Sequence, residues 1–228
     1  MSAKTKAGAV IVAAGESQRM GGVDKVQALL GGKPVLARAV EPFQICRDID
    51  QIVVVVSERN LERGKQMAAG EGWSKVSDVC PGGRRRQDSV AAGLKKLSDF
   101  DWVVVHDGAR PLVTVELIEQ GLAEAIKTGA AAAAVPVTDT IKVAEGDRIV
   151  HQTPPRQNLW AVQTPQVFRY SIIAEAYSQA KGDVTDDASL VEQLGYKVKL
   201  YMGSYDNIKI TTPDDLALAE ALWEKYGK

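Results

Sequence analysis

The stretch Gly8-Ala9-Val10-Ile11-Val12-Ala13-Ala14-Gly15 decides the fold. Gly8 to Ala14 is apolar at odd and even positions alike, so a strand built from it is covered on both faces. That double cover belongs to a central parallel strand. A Gly-containing loop follows, Gly15-Glu16-Ser17-Gln18-Arg19-Met20, and then a polar stretch to Lys25. A small-residue turn after a strand lets backbone N–H groups approach phosphate oxygens. Arg19 and Lys25 offer charge to a polyphosphate. A plain strand-to-helix turn with surface charges fits the same residues. The Gly-Lys-Ser/Thr of the P-loop and the Gly-x-Gly-x-x-Gly of dinucleotide sites are both absent from this loop. Gly31-Gly32-Lys33-Pro34 reads as an ordinary turn.

Outward from this strand the chain alternates. Helical spacing over Pro34 to Phe43 is followed by an apolar strand, Ile52 to Val56, and a helix, Asn60 to Glu71. A short strand, Val76 to Val79, runs into Pro81-Gly82-Gly83, and a helix covers Gln87 to Lys96. The strand Trp102 to Val105 runs into His106-Asp107-Gly108. The helix Val115 to Thr128 and the strand Ala130 to Val135 follow. Strands alternating with helices predict an α/β fold with a parallel sheet wrapped on both faces. Ligands of such sheets bind at the carboxyl ends of the strands. Ala13-Ala14-Gly15, Pro81-Gly82-Gly83 and His106-Asp107-Gly108 all stand at such ends.

The rhythm breaks between Val137 and Gln163. Thr140 to Val143 and Arg148 to Gln152 predict a two-stranded ribbon turning at Glu145-Gly146-Asp147, and Pro154-Pro155 excludes a regular central strand there. This is read as a protruding β-hairpin arm, at about residues 137–160, that packs on a second copy of the chain. Beyond it lie predicted helices at Tyr170 to Ala180, Asp186 to Leu194 and Pro213 to Tyr226, with strands at Lys197 to Met202 and Lys209 to Thr211. Trp73, Trp102, Trp160 and Trp223 read as core or packing residues.

The 28 basic and 29 acidic residues nearly cancel, which disfavours a dedicated nucleic-acid binder. Cys46 and Cys80 lack metal-type spacing, so neither zinc nor a disulfide framework is expected, and both read as buried or partly buried thiols. The apolar run Ala9 to Ala14 is too short for a membrane span or a signal-peptide core, so a cytoplasmic protein is expected.

Two further clusters carry chemistry. Gly82-Gly83-Arg84-Arg85-Arg86-Gln87-Asp88-Ser89 sets three arginines at a helix start, against the helix dipole, which asks for an anion or a carboxylate in compensation. Ser89 offers a hydroxyl to a base or phosphate. In His106-Asp107-Gly108-Ala109-Arg110-Pro111, Asp107 is the candidate for magnesium, which needs one or two carboxylates beside phosphate oxygens. His106 reads as a hydrogen-bonded structural residue. Thr185 looks like a helix N-cap, and Asp186 and Asp187 suit a first turn. Lys209 in a strand is equally a solvated residue.

Taken together, Ala13-Ala14-Gly15, Arg19-Met20, Lys25, Gly82-Gly83, Arg86, Ser89-Val90, His106 to Pro111, Asp139-Thr140, Arg156, Thr164-Pro165-Gln166, Thr185 to Ser189 and Asn207-Ile208-Lys209 resemble, in order, the 2-C-methyl-D-erythritol 4-phosphate cytidylyltransferases. The resemblance spans nearly the whole chain. It implies a Rossmann-like nucleotidyltransferase domain over residues 1–228, in the single-function form because no second domain follows Lys228. It implies that CMP passes from CTP to methylerythritol phosphate with release of pyrophosphate, on the non-mevalonate route to isoprenoid precursors. Under it, Ala13, Ala14, Gly15, Gly83, Ser89, Asp107 and Ala109 bind the nucleotide. Arg19, Lys25 and Lys209 are catalytic, Asp107 helps place Mg²⁺, and Arg110, Thr140, Arg156, Thr164 and Thr185 receive the acceptor. Part of the acceptor site comes from the arm of the other subunit of a homodimer. Two departures stand out. Asp24-Lys25-Val26 replaces the family's Pro-Lys-Gln, and Arg84 stands where some members carry an acidic residue. A cytidylyltransferase acting on another polyol phosphate, such as ribitol 5-phosphate, shares the nucleotide half. A non-catalytic nucleotide-binding protein on the same scaffold is the more distant alternative.

Overall fold

A computed structural model describes residues 5–15, 27–97, 99–180 and 182–225. In chain order the elements are β1 (Ala7–Ala13), β2 (Leu29–Leu30), β3 (Lys33–Pro34), α1 (Val35–Ile45), β4 (Gln51–Val56), α2 (Leu61–Gly70), β5 (Val76–Pro81), α3 (Arg86–Leu94), β6 (Trp102–Asp107) and α4 (Val115–Thr128). They continue with β7 (Ala130–Pro136), β8 (Val143–Ala144), β9 (Val150–Gln152), β10 (Trp160–Arg169), α5 (Tyr170–Gln179), α6 (Asp187–Gln193), β11 (Lys199–Met202) and α7 (Pro213–Lys225).

Seven strands form the central sheet in the order β11-β7-β10-β6-β1-β4-β5. All run parallel except β10, which pairs antiparallel with both β6 and β7. The mostly parallel α/β sheet is the one the apolar runs predict. In β1, Ala9 and Ile11 face the cluster formed with α1 and α4, through Leu36, Val40, Phe43, Leu117 and Ile118. Val10 and Val12 face the opposite cluster, formed with α3, α5 and α6 through Val90, Leu94, Ile173 and Leu190. Strands covered in this way have no solvent face, which is why they read as unbroken apolar runs.

Strand β10 is missing from the sequence expectation. Pro165 and the polar Gln163, Thr164 and Gln166 hide its period. The ladder tolerates them because its register shifts between Val162 and Gln166, which leaves Pro165 outside the regular pairing. Trp160, read as a core or packing residue, lies at the start of β10 outside the core and is substantially exposed. The expected strand Lys209 to Thr211 is not one. Ile210 N–H donates to the Ala109 carbonyl, and Thr211 is tied to Asp215, so the segment makes no ladder. The ribbon is also shorter than expected. Only Val143–Gln152 and Ala144–Val150 pair, and Arg148 turns with a positive φ of 64°. Residues 138–153 are exposed throughout.

A third apolar cluster joins Leu30, Val35, Ile210 and Ala219. Here Arg38 lies over the Trp223 ring, 4.1 Å from its centroid, and donates to the Leu30 and Gly31 carbonyls. Gly31, at φ +54°, is required: a β-carbon there would stand 2.2 Å from Trp223 Nε1. No helix among the described residues is long and apolar enough to cross a membrane.

Candidate active site

β1 and β6 end side by side, with Val12 paired to Asp107 and the Gly108 N–H donating to the Val12 carbonyl. The end of β5 is brought alongside by the Gly82 N–H on the Val56 carbonyl. A β-carbon on Gly82 would stand 2.4 Å from Ala14 Cβ, so the two loops touch through glycine. The result is a cavity lined by Ala13, Ala14, Gly15, Gly83, Ser89, Asp107, Ala109 and Lys209, together with Arg84, Arg85 and Arg86. The strand-end residues singled out in the sequence therefore share one wall. Arg19 and Lys25 lie outside the described residues. Ser89 is buried, and its hydroxyl accepts from the Gly83 N–H and donates back toward the Arg85 carbonyl, which folds this loop onto the start of α3.

A second cavity is lined by Arg110, Gln163, Thr164, Gln166, Thr185 and Asp186, and shares Arg86, Asp107 and Lys209 with the first. Thr185 lines it but does not cap α6. The cap is Asp186, one residue later, whose extended backbone lets its carboxylate accept from the Ser189 N–H. Thr140 and Arg156 lie outside both cavities of this chain. Thr140 is on the exposed ribbon segment, and Arg156 donates to the Thr138 carbonyl.

The three arginines find carboxylates unequally. Arg85 pairs with Asp88 and Asp183. Arg86 donates from Nε to Asp107 at 3.0 Å and from Nη1 to Asp187 at 2.8 Å. Arg84 stays exposed at the first cavity. The compensation the sequence called for is thus supplied by the fold.

Asp107 is the charge centre of the shared wall. Oδ1 accepts from Arg86, and Oδ2 pairs with Lys209 Nζ at 2.7 Å and lies 3.8 Å from Arg110 Nε. Burial pushes its carboxyl up, but Arg86, Lys209 and Arg110 outweigh burial and hold it far below the usual carboxylate range. Burial also lowers Arg110, with Asp107 opposing. The Asp107 backbone N–H donates to Thr164 Oγ1, so the Thr164 hydroxyl is left to donate to His106 Nδ1, and His106 Nε2–H to donate to the Arg110 carbonyl. His106 is therefore satisfied as a neutral ring, and burial lowers its pKa to about 4. The structural reading of His106 agrees with this arrangement. Asn207, fully buried, donates to the Thr164 carbonyl and accepts Arg110 Nη1 on its own backbone carbonyl, which carries the chain toward Lys209.

Arg86, Gln163 and Asp187 have no role in the sequence reading. Arg86 was visible there only within the family pattern and as one of three neighbouring charges, and Asp187 only within that pattern and as a first-turn acid.

Two cavities meeting at one cationic wall suit a reaction that joins two phosphate-bearing molecules. The sequence model of the 2-C-methyl-D-erythritol 4-phosphate cytidylyltransferases (IspD) matches residues 7–225. The chain belongs to that family. It is 52% identical over 220 residues to the cytidylyltransferase of that name from Dehalococcoides mccartyi strain 195, covering 96% of this chain and 97% of the relative. It is 46% identical to the bifunctional IspD/IspF enzyme of Desulforudis audaxviator, covering 94% of this chain but 56% of that one. Among solved structures, 4-diphosphocytidyl-2C-methyl-D-erythritol synthase from Anaerococcus prevotii superposes with a TM-score of 0.86 at 31% identity, covering 97% of each chain. The cytidylyltransferase from Thermus thermophilus gives 0.76 at 34% identity, covering 94% of this chain and 98% of that one. This family membership makes the chain a nucleotidyltransferase.

Proposed function

We propose that this chain transfers CMP from CTP to 2-C-methyl-D-erythritol 4-phosphate and releases pyrophosphate. Family membership supports the reaction. The observation that carries it onto these residues is the wall of Arg86, Asp107 and Lys209 common to both cavities. We assign CTP to the first cavity, with its phosphates at Ala13 to Gly15 and Gly83, and with Arg19 and Lys25 as the gripping cations. The acceptor takes the second, against Arg110, Thr164 and Thr185.

An acceptor phosphate oxygen forms a bond to the α-phosphorus of CTP, and the bond from that phosphorus to the bridging β-phosphate oxygen breaks. The nucleophile is already an anion, so no side chain has to take a proton. Neutral His106 has none of its capacity free for the task. Positioning and charge neutralisation are what the residues provide. Lys209, on the common wall and partly exposed, neutralises charge gathering on the reacting phosphates. Asp107 holds Lys209 and Arg86 in place for it.

For magnesium, the described residues offer one carboxylate at the first cavity, Asp107, and no cluster of three acidic, His or Cys side chains. That donor set would suit an ion held by Asp107 whose remaining ligands are phosphate oxygens and water. Bound there, the ion would supply charge neutralisation on the triphosphate.

We also assign a homodimer to the arm, where Ile141, Val143, Ile149 and Val150 present exposed apolar side chains. Thr140 and Arg156 would then serve the partner's acceptor cavity. Sedimentation of the purified chain tests the dimer; a monomer at micromolar concentration overturns it. Pyrophosphate release from each of the four nucleoside triphosphates, with methylerythritol phosphate or ribitol 5-phosphate, tests the reaction. Release with CTP and the methylerythritol acceptor is expected. Preference for ribitol 5-phosphate would reassign the acceptor, and no release with either would remove the enzyme reading.

A further inference from the structure

Asp187 is fully buried and lines neither cavity, so its charge does not serve a ligand directly. Its two oxygens are committed. Oδ2 accepts Arg86 Nη1, and Oδ1 accepts the Tyr177 hydroxyl at 2.5 Å. Tyr177, on α5, also lines neither cavity. Arg86 is thereby held from two sides, by Asp107 at the end of β6 and by Asp187 at the start of α6, and its third nitrogen, Nη2, has no partner among the described residues. A guanidinium held by one carboxylate can pivot about that contact, whereas two carboxylates from separate elements fix its plane. A buried ion pair is a poor device for stability, since a well-packed apolar pair often does as well. It does orient groups.

We infer that Asp187 and Tyr177 are positioning residues for cytidylyl transfer, acting through Arg86 to hold Asp107 and Lys209 on the wall between the two cavities. The kinetic part of this inference rests on the proposed reaction. Burial and the neighbouring Asp187 raise the Tyr177 hydroxyl, so it remains a donor throughout the working range. The line of contacts runs Tyr177, Asp187, Arg86, Asp107, Lys209, with each step at 3.0 Å or less.

The test uses Tyr177→Phe, Asp187→Asn, the double variant, and Ile173→Val as a control. Ile173 is a buried apolar residue on α5 with no part in the relay. Tyr177→Phe should lower kcat about tenfold, and Asp187→Asn about a hundredfold, with smaller changes in either KM. Because Tyr177 acts only through Asp187, the double variant should be no slower than Asp187→Asn. Ile173→Val should lower the melting temperature and leave kcat unchanged. A second readout needs no turnover. The Arg86 Nε–H resonance, assigned by its loss in Arg86→Lys, should be sharp in the parent and broadened by exchange in both relay variants. An unchanged kcat in Tyr177→Phe, effects that multiply in the double variant, or kcat that follows melting temperature through all variants would overturn the kinetic role. An unaltered Arg86 resonance would overturn the relay itself. Parent protein that shows the resonance behaviour but no transfer would instead refute the proposed reaction.

Discussion

Replacing His106 with Gln should remove an acid sensitivity that burial builds into the fold. The ring is fully buried and bonded as a neutral acceptor and donor to Thr164 and the Arg110 carbonyl. Its pKa is about 4 in the folded chain, against the ordinary 6.5. As pH falls through about 6.5 the unfolded chain gains a proton that the folded chain refuses until about pH 4. His106 therefore costs nothing above about pH 6.5 and destabilises progressively down to about pH 4. At about 1.4 kcal/mol per tenfold change in affinity, the full effect is ~3 kcal/mol. Between about pH 7.5 and 4.5 the expected loss is about 2.5 kcal/mol. A chain of this size unfolds in urea with a slope of roughly 2–3 kcal/mol per molar, so the urea midpoint should drop by about 1 M over that interval. Gln keeps a donor and an acceptor but takes up no proton, and its midpoint should change by about 1 M less. The other histidine, His151, is present in both proteins, so the difference between them isolates His106. Equal pH dependence in the parent and His106→Gln would refute the argument.

Lys209→Met should lower turnover by about a hundredfold or more while the unfolding midpoint stays close to the parent's, because the side chain is partly exposed and its loss removes charge from the reacting site; pyrophosphate release and urea titration read the two effects. Thr164→Val keeps the shape but strands the buried Asp107 N–H and unpairs His106, so about 1–3 kcal/mol of stability should be lost, measured by urea unfolding at neutral pH. Gly31→Ala meets both a positive φ and the Trp223 ring, and should cost more than about 1 kcal/mol and open α7 to limited proteolysis.

The strands were legible where they are covered twice. Val10 to Val12, Ile52 to Val56 and Val103 to Val105 have no solvent face, so nothing polar interrupts them. β10 was not legible for the opposite reason. Its Gln163, Thr164 and Gln166 face the second cavity, and its partners come from strands on either side rather than from its neighbours in sequence. Ala13 to Gly15, Gly83 and Asp107 could be grouped because parallel strands must end on one edge. Arg86 was set apart from Arg84 and Arg85 only by the family resemblance, and its role was not legible, since its partner Asp187 lies 101 residues away and a buried arginine is spelled like a solvated one. Thr140 and Arg156 came from the family resemblance alone, and their chain keeps them outside its own cavities.

The common wall also bears on inhibition. Arg86, Asp107 and Lys209 belong to both chambers, so a molecule with one anionic group in each would face the same three side chains from two directions. Joining the two anions covalently converts the second contact into an intramolecular one, at an effective concentration in the millimolar range for a short tether. A bisubstrate compound built on that span should therefore bind more tightly than its two halves do separately. Resistance to it by changes at the wall would come at the expense of the groups that serve both substrates.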